Sequence, residues 1–137
     1  MIACFQGDIA RATVAFARYV EAHEPGVRVI ALVDYHNDCV AGALAAARAM
    51  RDRFGPGRLA GVRLDTSEKL IDASLAPRAA AEPHRRWHGV VPELVAAVRD
   101  ALDADGFADV GIWVSGGFTP AKIARFEAAG VATAGYG

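Results

Sequence analysis

Gly61-Val62-Arg63-Leu64-Asp65-Thr66-Ser67 is the stretch on which the reading of this chain turns. Arg58 to Val62 leads into it as a short apolar strand, and Arg63 and Asp65 then follow with one residue between them. Alternation along a strand puts both side chains on one face. A cation and an anion on an otherwise buried face are costly unless they meet each other or a ligand. Two readings are open at this point. One is an Arg63–Asp65 ion pair that closes a strand end, because structural ion pairs also gather such residues. The other is a strand end that offers a guanidinium to an acidic ligand and a carboxylate to hydroxyls or a metal.

Toward the N-terminus, Gly55-Pro56-Gly57 closes an alanine-rich helix that ends near Phe54 and is capped by Asn37 or Asp38. Ahead of it, Val27 to Val33 is a β-branched, mostly apolar run of the kind found in strands covered on both faces, and it ends in Asp34-Tyr35-His36-Asn37-Asp38. The chain opens with a helix capped by Asp8, carrying Ile9, Val14, Phe16, Ala17 and Val20 as its apolar stripe and broken at Pro25-Gly26.

Toward the C-terminus, Glu68 to Gly89 contains Pro77 and Pro83 and little periodicity, which reads as a lid, a binding loop or a mobile segment. A helix then starts near Val90, with Pro92 and Glu93 in its first turn and Leu94, Val95, Val98, Ala101 and Leu102 inward. The strand Val110–Val114 stops at Ser115-Gly116-Gly117-Phe118. Thr119 caps the next helix, with Pro120 at its first position and Ile123, Ala124 and Phe126 inward. Val131 to Tyr136 reads as a last short strand.

Strands alternating with helices call for a parallel sheet with helices outside it, an α/β fold. Ligands in such folds collect at the carboxyl ends of the strands. Three successive strands here end in polar or glycine-rich clusters: Asp34/Asn37/Asp38, Arg63/Asp65/Thr66 and Ser115/Gly116/Gly117. Gly116 and Gly117 permit positive φ and close backbone approach, and the free N–H groups of the following helix suit a phosphate. A tight strand-to-helix turn explains the same glycines, and no GKS or GKT follows to make a Walker loop. Asp34, Asp38 and Asp65 together suit Mg²⁺ held through water; capping accounts for Asn37 and Asp38, which leaves Asp34 as the functional candidate.

Other candidates are thinner. His84 and His88 stand four apart, yet the Glu of HExxH and a third zinc ligand are lacking. His36 is placed for acid–base work but reads as a loop histidine. Cys39 lies just inside a helix N-terminus, which favours a lowered pKa, but no histidine is paired with it. Neither GxSxG nor GxGxxG is present.

Composition bounds the function classes. With 137 residues and 53% apolar content the chain is one domain with ample core, and a net charge of −1 argues against nucleic-acid binding through a broad basic surface. Cys4 and Cys39 read as small buried residues in a reducing compartment. No run approaches the ~18 apolar residues of a membrane helix, and the first residues lack signal-peptide character. The expectation is a cytoplasmic protein with neither nucleic acid nor membrane as partner.

ALVDYHND, GVRLDTSEKL, GVVPELVAAVRDALDADGF, IWVSGGFTPAKIARFEAAGV and the closing AGYG, in this order, resemble the nicotinate phosphoribosyltransferase family, its shorter archaeal-type branch above all. The resemblance spans nearly the whole chain. It implies a partial (β/α) barrel of the type II phosphoribosyltransferase kind over residues 1–137. The implied activity joins nicotinate to C1 of phosphoribosyl diphosphate, with Mg²⁺ present and ATP hydrolysis coupled, giving nicotinate mononucleotide for NAD salvage. Arg63 would face the nicotinate and its carboxylate, Asp65 would hold ribose hydroxyls, Thr66 would join them in binding substrate, and Asp34 would lie near the diphosphate and its Mg²⁺. Ser115, Gly116 and Gly117 would cradle the 5′-phosphate.

Family members are longer. They carry an N-terminal domain, a histidine phosphorylated during ATP coupling, and a barrel-closing segment with a second phosphate loop, none of which matches this sequence. The chain is thus expected to be inactive alone, and to self-associate or to pair with a complementing subunit. The alternative is a non-catalytic phosphate- or nucleotide-binding module, or the partner subunit of a split enzyme.

Overall fold

Four strands, β1 (Val29–Leu32), β2 (Leu59–Leu64), β3 (Gly111–Val114) and β4 (Gly135–Tyr136), form one parallel sheet whose order in space repeats their order in sequence. The structure is a computed structural model and describes residues 1–137. Five helices connect or flank the strands: α1 (Ile9–His23), α2 (Cys39–Phe54), α3 (Ala76–Ala81), α4 (Pro92–Ala104) and α5 (Pro120–Ala129). Successive parallel strands laid side by side, joined by crossovers of one hand, put their helices on one face of the sheet. The sheet is open, with β1 and β4 at its edges. The fold is therefore the expected α/β arrangement of parallel strands and outer helices, without barrel closure.

The two faces of the sheet differ in kind. Val29, Ala31 and Val33 alternate with Ile30 and Leu32 along and just beyond β1; the first three are buried, Ile30 is 40% exposed and Leu32 is half-buried. The same alternation buries Val62, Leu64, Ile112 and Val114 against the helices. Their partners are Ala43, Ala46, Ala47 and Met50 of α2 and Leu94, Val95, Val98 and Leu102 of α4. Burying a side chain of the Val, Leu or Met class stabilises the fold by about 1.5–3 kcal/mol, so α4 supplies most of the helix-side apolar gain. The alanines of α2 contribute less each but let that helix lie close. Gly42 allows the closest approach, since a Cβ there would stand 2.2 Å from the Val33 carbonyl oxygen.

Local sequence sets the helix starts. Asp8 accepts from the Arg11 N–H, Asp38 from the Ala41 N–H and Thr119 from the Lys122 N–H, as N-caps do. Pro120 and Pro92 take first-turn positions. Arg48 pairs in bidentate fashion with Asp105 at 2.7 and 3.0 Å, linking α2 to the end of α4. Arg99 donates to the carbonyls of Val110 and Phe107 at 2.7 and 2.8 Å, fixing α4 against the approach to β3.

Several expectations change. The 68–89 connection is structured. It holds a short 3₁₀ turn (Ala73–Leu75), helix α3, an Ile71–His88 bridge and two buried anchors, Leu75 and Trp87. Its pin is Asp72, fully buried, whose carboxylate accepts from the N–H of Cys39 at 2.9 Å and from the N–H and hydroxyl of Ser74. The segment thus supplies a buried anion to the first turn of α2, where the helix dipole favours one. The strand expected from Val27 begins at Val29, because Val27 is exposed at the sheet's rim. The last strand is two residues long, not six. Phe16 is 38% exposed, and the buried stripe of α1 runs instead through Ile9, Ala12, Thr13 and Ala17. Ala124 is exposed and α5 is anchored by Phe126 alone, against Phe118 and Tyr136. Cys4 is exposed and Cys39 is buried. No helix is long and apolar enough to cross a membrane.

Removing the Asp72 carboxylate orphans a buried backbone donor, which costs about 3 kcal/mol together with the lost charged hydrogen bond. Asp72→Ala is expected to lower the thermal midpoint by roughly 10 °C. A drop of only a degree or two in a calorimetric scan would show that the 68–89 segment is not tied to α2 in this way.

Candidate functional site

The register of the sheet aligns one row of residues across all four strands on the open face: Leu32, Arg63, Trp113 and Gly135. At this row lies a cleft of about 450 Å³ lined by Ile30, Leu32, Arg63, Asp65, Trp113 and Ser115, with Tyr136 nearby. The strand ends of β2 and β3 therefore bring Arg63, Asp65 and Ser115 together. Arg63 is exposed and is engaged by none of the chain's ion pairs. The alternative of an Arg63–Asp65 ion pair closing the strand end is not what the structure contains. Its neighbour across the ladder on that face is Trp113, which brings no counter-charge.

Ser115 continues the β2–β3 ladder: its N–H donates to the Leu64 carbonyl at 2.9 Å and its hydroxyl to the same oxygen at 3.3 Å. Gly116 and Gly117 follow with φ of 97° and 65°. This is the left-handed backbone that the glycine pair makes cheap. The turn sits close to two acids, since a Cβ on Gly116 would stand 3.1 Å from Asp65 Oδ1 and one on Gly117 would stand 3.8 Å from Glu68 Oε1. Lys122 steadies it, with Nζ donating to the Gly116 carbonyl at 2.8 Å and lying 4.3 Å from the Phe118 ring centroid.

Behind the turn is a second cleft of about 380 Å³, with Gly117, Thr119, Lys122, Arg125, Arg86 and His88 in its wall. Glu68 lies 3.8 Å from Lys122 Nζ and 3.9 Å from Arg86. Burial pushes the Lys122 ammonium down from its ordinary pKa, Arg125 and Arg86 push the same way, and Glu68 opposes them. Sequence reading assigned no role to Lys122, Arg125 and Arg86, and weighed His88 only as a zinc ligand with His84. The spacing of Lys122 and Arg125 along α5 from the SGGF turn is a local signal that was available, whereas Arg86 and His88 arrive through the 68–89 fold. A third hollow, at the opposite end of the sheet between Met50, Leu59 and Phe107, is about 50 Å³, too small for a metabolite.

Asp34 follows β1 at the same end of the sheet. Burial raises its carboxyl above the ordinary value; its own backbone N–H offsets part of this, Asp65 and Asp72 add like charge, and Arg63 opposes them. Asp38 is spent on capping α2. No group of three His, Cys, Asp or Glu side chains is disposed to hold a metal, so His84 and His88 have no third ligand beside them; Asp34 and Asp65 are near enough for like charge to act between them. Thr66 is turned inward, 3% exposed, with its hydroxyl 3.4 Å from Cys39 Sγ. Its side chain holds the strand end to α2 instead of facing the cleft. Burial raises the Cys39 thiol far above its ordinary value, against the lowering that a helix N-terminus favours. His36 is a loop histidine, its Nε2 donating to the Gly7 carbonyl at 2.8 Å.

Neither a protein-family model nor a curated protein matches the chain. Among solved structures it is similar to the crystal structure of nicotinate-nucleotide pyrophosphorylase from Pyrococcus furiosus, at 30% identity with a TM-score of 0.65. The likeness covers 98% of this chain and 28% of that one. The chain thus spans little more than a quarter of that protein's length, and its α/β fold is that of part of a phosphoribosyltransferase-type enzyme.

A carboxyl whose pKa is raised on folding disfavours the folded state once it ionises, so its cost appears as pH rises from about 4 through the raised value. Asp34→Asn is therefore expected to raise the thermal midpoint at pH 7 and to leave it nearly unchanged at pH 3.5. Equal midpoints for the two proteins at both pH values would remove Asp34 from the set of strained site residues.

Proposed function

We propose that this chain carries part of the catalytic centre of a nicotinate phosphoribosyltransferase, joining nicotinate to C1 of phosphoribosyl diphosphate to give nicotinate mononucleotide for NAD salvage. The observation that carries the proposal is the convergence of Arg63, Asp65 and Ser115 on one cleft at the carboxyl ends of adjacent strands. The 98% coverage by part of a nicotinate-nucleotide pyrophosphorylase supports the substrate class.

Each side chain then has a distinct task. The unpaired Arg63 guanidinium receives the nicotinate carboxylate, for which its planar fork is suited. Asp65 accepts from ribose hydroxyls and places a negative charge beside the carbon that becomes oxocarbenium-like. The Ser115–Gly117 turn and the first N–H groups of α5 receive the 5′-phosphate, with Lys122 behind them. Catalysis is chiefly positioning and preorganised charge. Asp34 and Asp65 fit Mg²⁺ held jointly with the substrate's phosphates, since this ion commonly takes one or two carboxylates plus phosphate oxygens. Burial, and after it the charge of Asp65, holds the Asp34 carboxyl above its ordinary value, and a cation bound there would offset both. When bound, Mg²⁺ neutralises charge on the leaving diphosphate. ATP belongs to this reading through the family resemblance alone.

The partner belongs to the proposal too. Beside the unpaired edge of β1, an apolar hollow of about 300 Å³ is lined by Met1, Ile2, Phe16, Ile30 and Tyr35 among others. A second copy or a complementing chain covers this edge on the present reading, and sedimentation velocity over a wide concentration range checks self-association.

Titration with nicotinate mononucleotide is expected to show saturable binding that Gly117→Asp abolishes, because the new side chain is strained at positive φ and repels phosphate. In a reconstituted enzyme, Asp65→Ala is expected to lower turnover of nicotinate by roughly 100-fold. Unchanged turnover would falsify the assignment of Asp65. Saturable nucleotide binding without turnover in any reconstitution would favour a non-catalytic nucleotide-binding module, and no binding at all a structural partner subunit.

A further inference from the structure

Trp113 occupies a position that no role assigned so far explains. Its indole lies flat across three strands on a floor of glycines. A Cβ built on Gly61 of β2 would stand 2.2 Å from Cζ3, one on Gly111 of β3 would stand 2.7 Å from the same atom, and one on Gly135 of β4 would stand 2.9 Å from Cδ1 and Nε1. Both ends of the ring system therefore rest on bare backbone. The upper face borders the cleft that holds Arg63, Asp65 and Ser115. Arg63 is the direct register partner of Trp113 on the neighbouring strand, about 4.8 Å away across the ladder. No cation–π contact joins the two, the chain's four such contacts lying elsewhere. The arrangement is a rigid aromatic plate with an unpaired guanidinium at its side.

We propose that Trp113, laid flat on Gly61, Gly111 and Gly135, is the stacking surface for a planar ring acid whose carboxylate is held by the adjacent Arg63. The proposal deepens the function proposed above and rests on it for the identity of the acid, but its geometry selects a chemical class: flat, aromatic and anionic. Offset stacking suits a ring on an indole. The glycine floor lets the indole lie flat, and a puckered ring of the same size makes less contact with a flat surface than a planar one. Trp113 is a specificity-determining residue in this scheme, with no part in bond making.

The test uses the full chain and its two indole N–H signals in proton–nitrogen NMR spectra. Trp87 is the internal control: it is 3% exposed and donates to the Glu82 carbonyl at 2.9 Å, away from the cleft. Nicotinate and benzoate are expected to move the Trp113 signal saturably and leave that of Trp87 in place. Cyclohexanecarboxylate, of the same size and charge but puckered, and nicotinamide, flat but neutral, are expected to bind at least several-fold more weakly. Trp113→Ala should weaken benzoate by roughly 3- to 10-fold, the usual worth of an aromatic pair, and so should Trp113→Leu, which keeps apolar bulk on the sheet and guards against loss of folding. Gly135→Ala, which lifts the indole without removing it, should weaken benzoate too. Benzoate affinity unchanged in Trp113→Leu, with only the melting temperature reduced, overturns the proposal and makes the indole a space-filler. Equal binding of benzoate and cyclohexanecarboxylate, or absence of saturable binding by either ring acid, overturns it as well. Ring-acid binding that depends on Trp113, in a protein that never forms nicotinate mononucleotide, leaves this proposal standing and defeats the phosphoribosyltransferase reading.

Discussion

All four strands run the same way, and each lies beside its predecessor in the sequence. This single hydrogen-bonding constraint governs the rest of the molecule. It sends every strand's carboxyl end to one rim, so Asp34, Arg63, Asp65 and Ser115 share a rim despite wide separation in sequence. It also divides the labour of the two faces. One is sealed by α2 and α4 and holds most of the core. The other carries Ile30, Leu32, Arg63 and Trp113 with no helix above them.

Charge is handled in two ways at that rim. Asp72 is fully buried and satisfied, with three donors and the start of α2 to hold it. Asp34 is partly buried, faces Asp65 and Asp72, and is held with less compensation. A carboxylate kept under such tension is a common mark of sites that meet cations or substrates, although structural networks produce it too. Lys122 is its counterpart on the β3 side: a desolvated ammonium bound to the turn's carbonyl with Glu68 as a distant counter-ion.

The architecture was legible where signals are local. Apolar β-branched runs and capping residues placed α1, α2, α4, α5 and the first three strands to within a few residues, because both act over a single turn or ladder step. The same three strand ends that attracted notice in the sequence do share one rim. What stayed hidden depends on partners distant in sequence. Alanines and prolines in the 68–89 segment have no periodicity, and its order comes from Asp72 reaching Cys39 across 33 positions. Thr66 looked like a cleft residue because it follows Arg63 and Asp65 at the same strand end, but the strand's alternation turns its side chain toward Cys39. The aromatic plate was invisible for a related reason. Gly61, Gly111 and Gly135 each fall inside an expected strand and carry no message singly, and only their alignment across the sheet shows that they make room for one side chain.

That alignment makes positions 61, 111, 113 and 135 a unit of inheritance. A methyl group gained at Gly61 collides with both the indole and the Gly111 carbonyl, while one gained at Gly135 collides with the indole alone. Change at 135 is thus open to a lineage that has first exchanged Trp113 for something narrower, and change at 61 is closed until the backbone of β3 has moved as well. The order in which these substitutions can be accepted is written into the sheet, and sequence drift on this face is expected to proceed in linked steps.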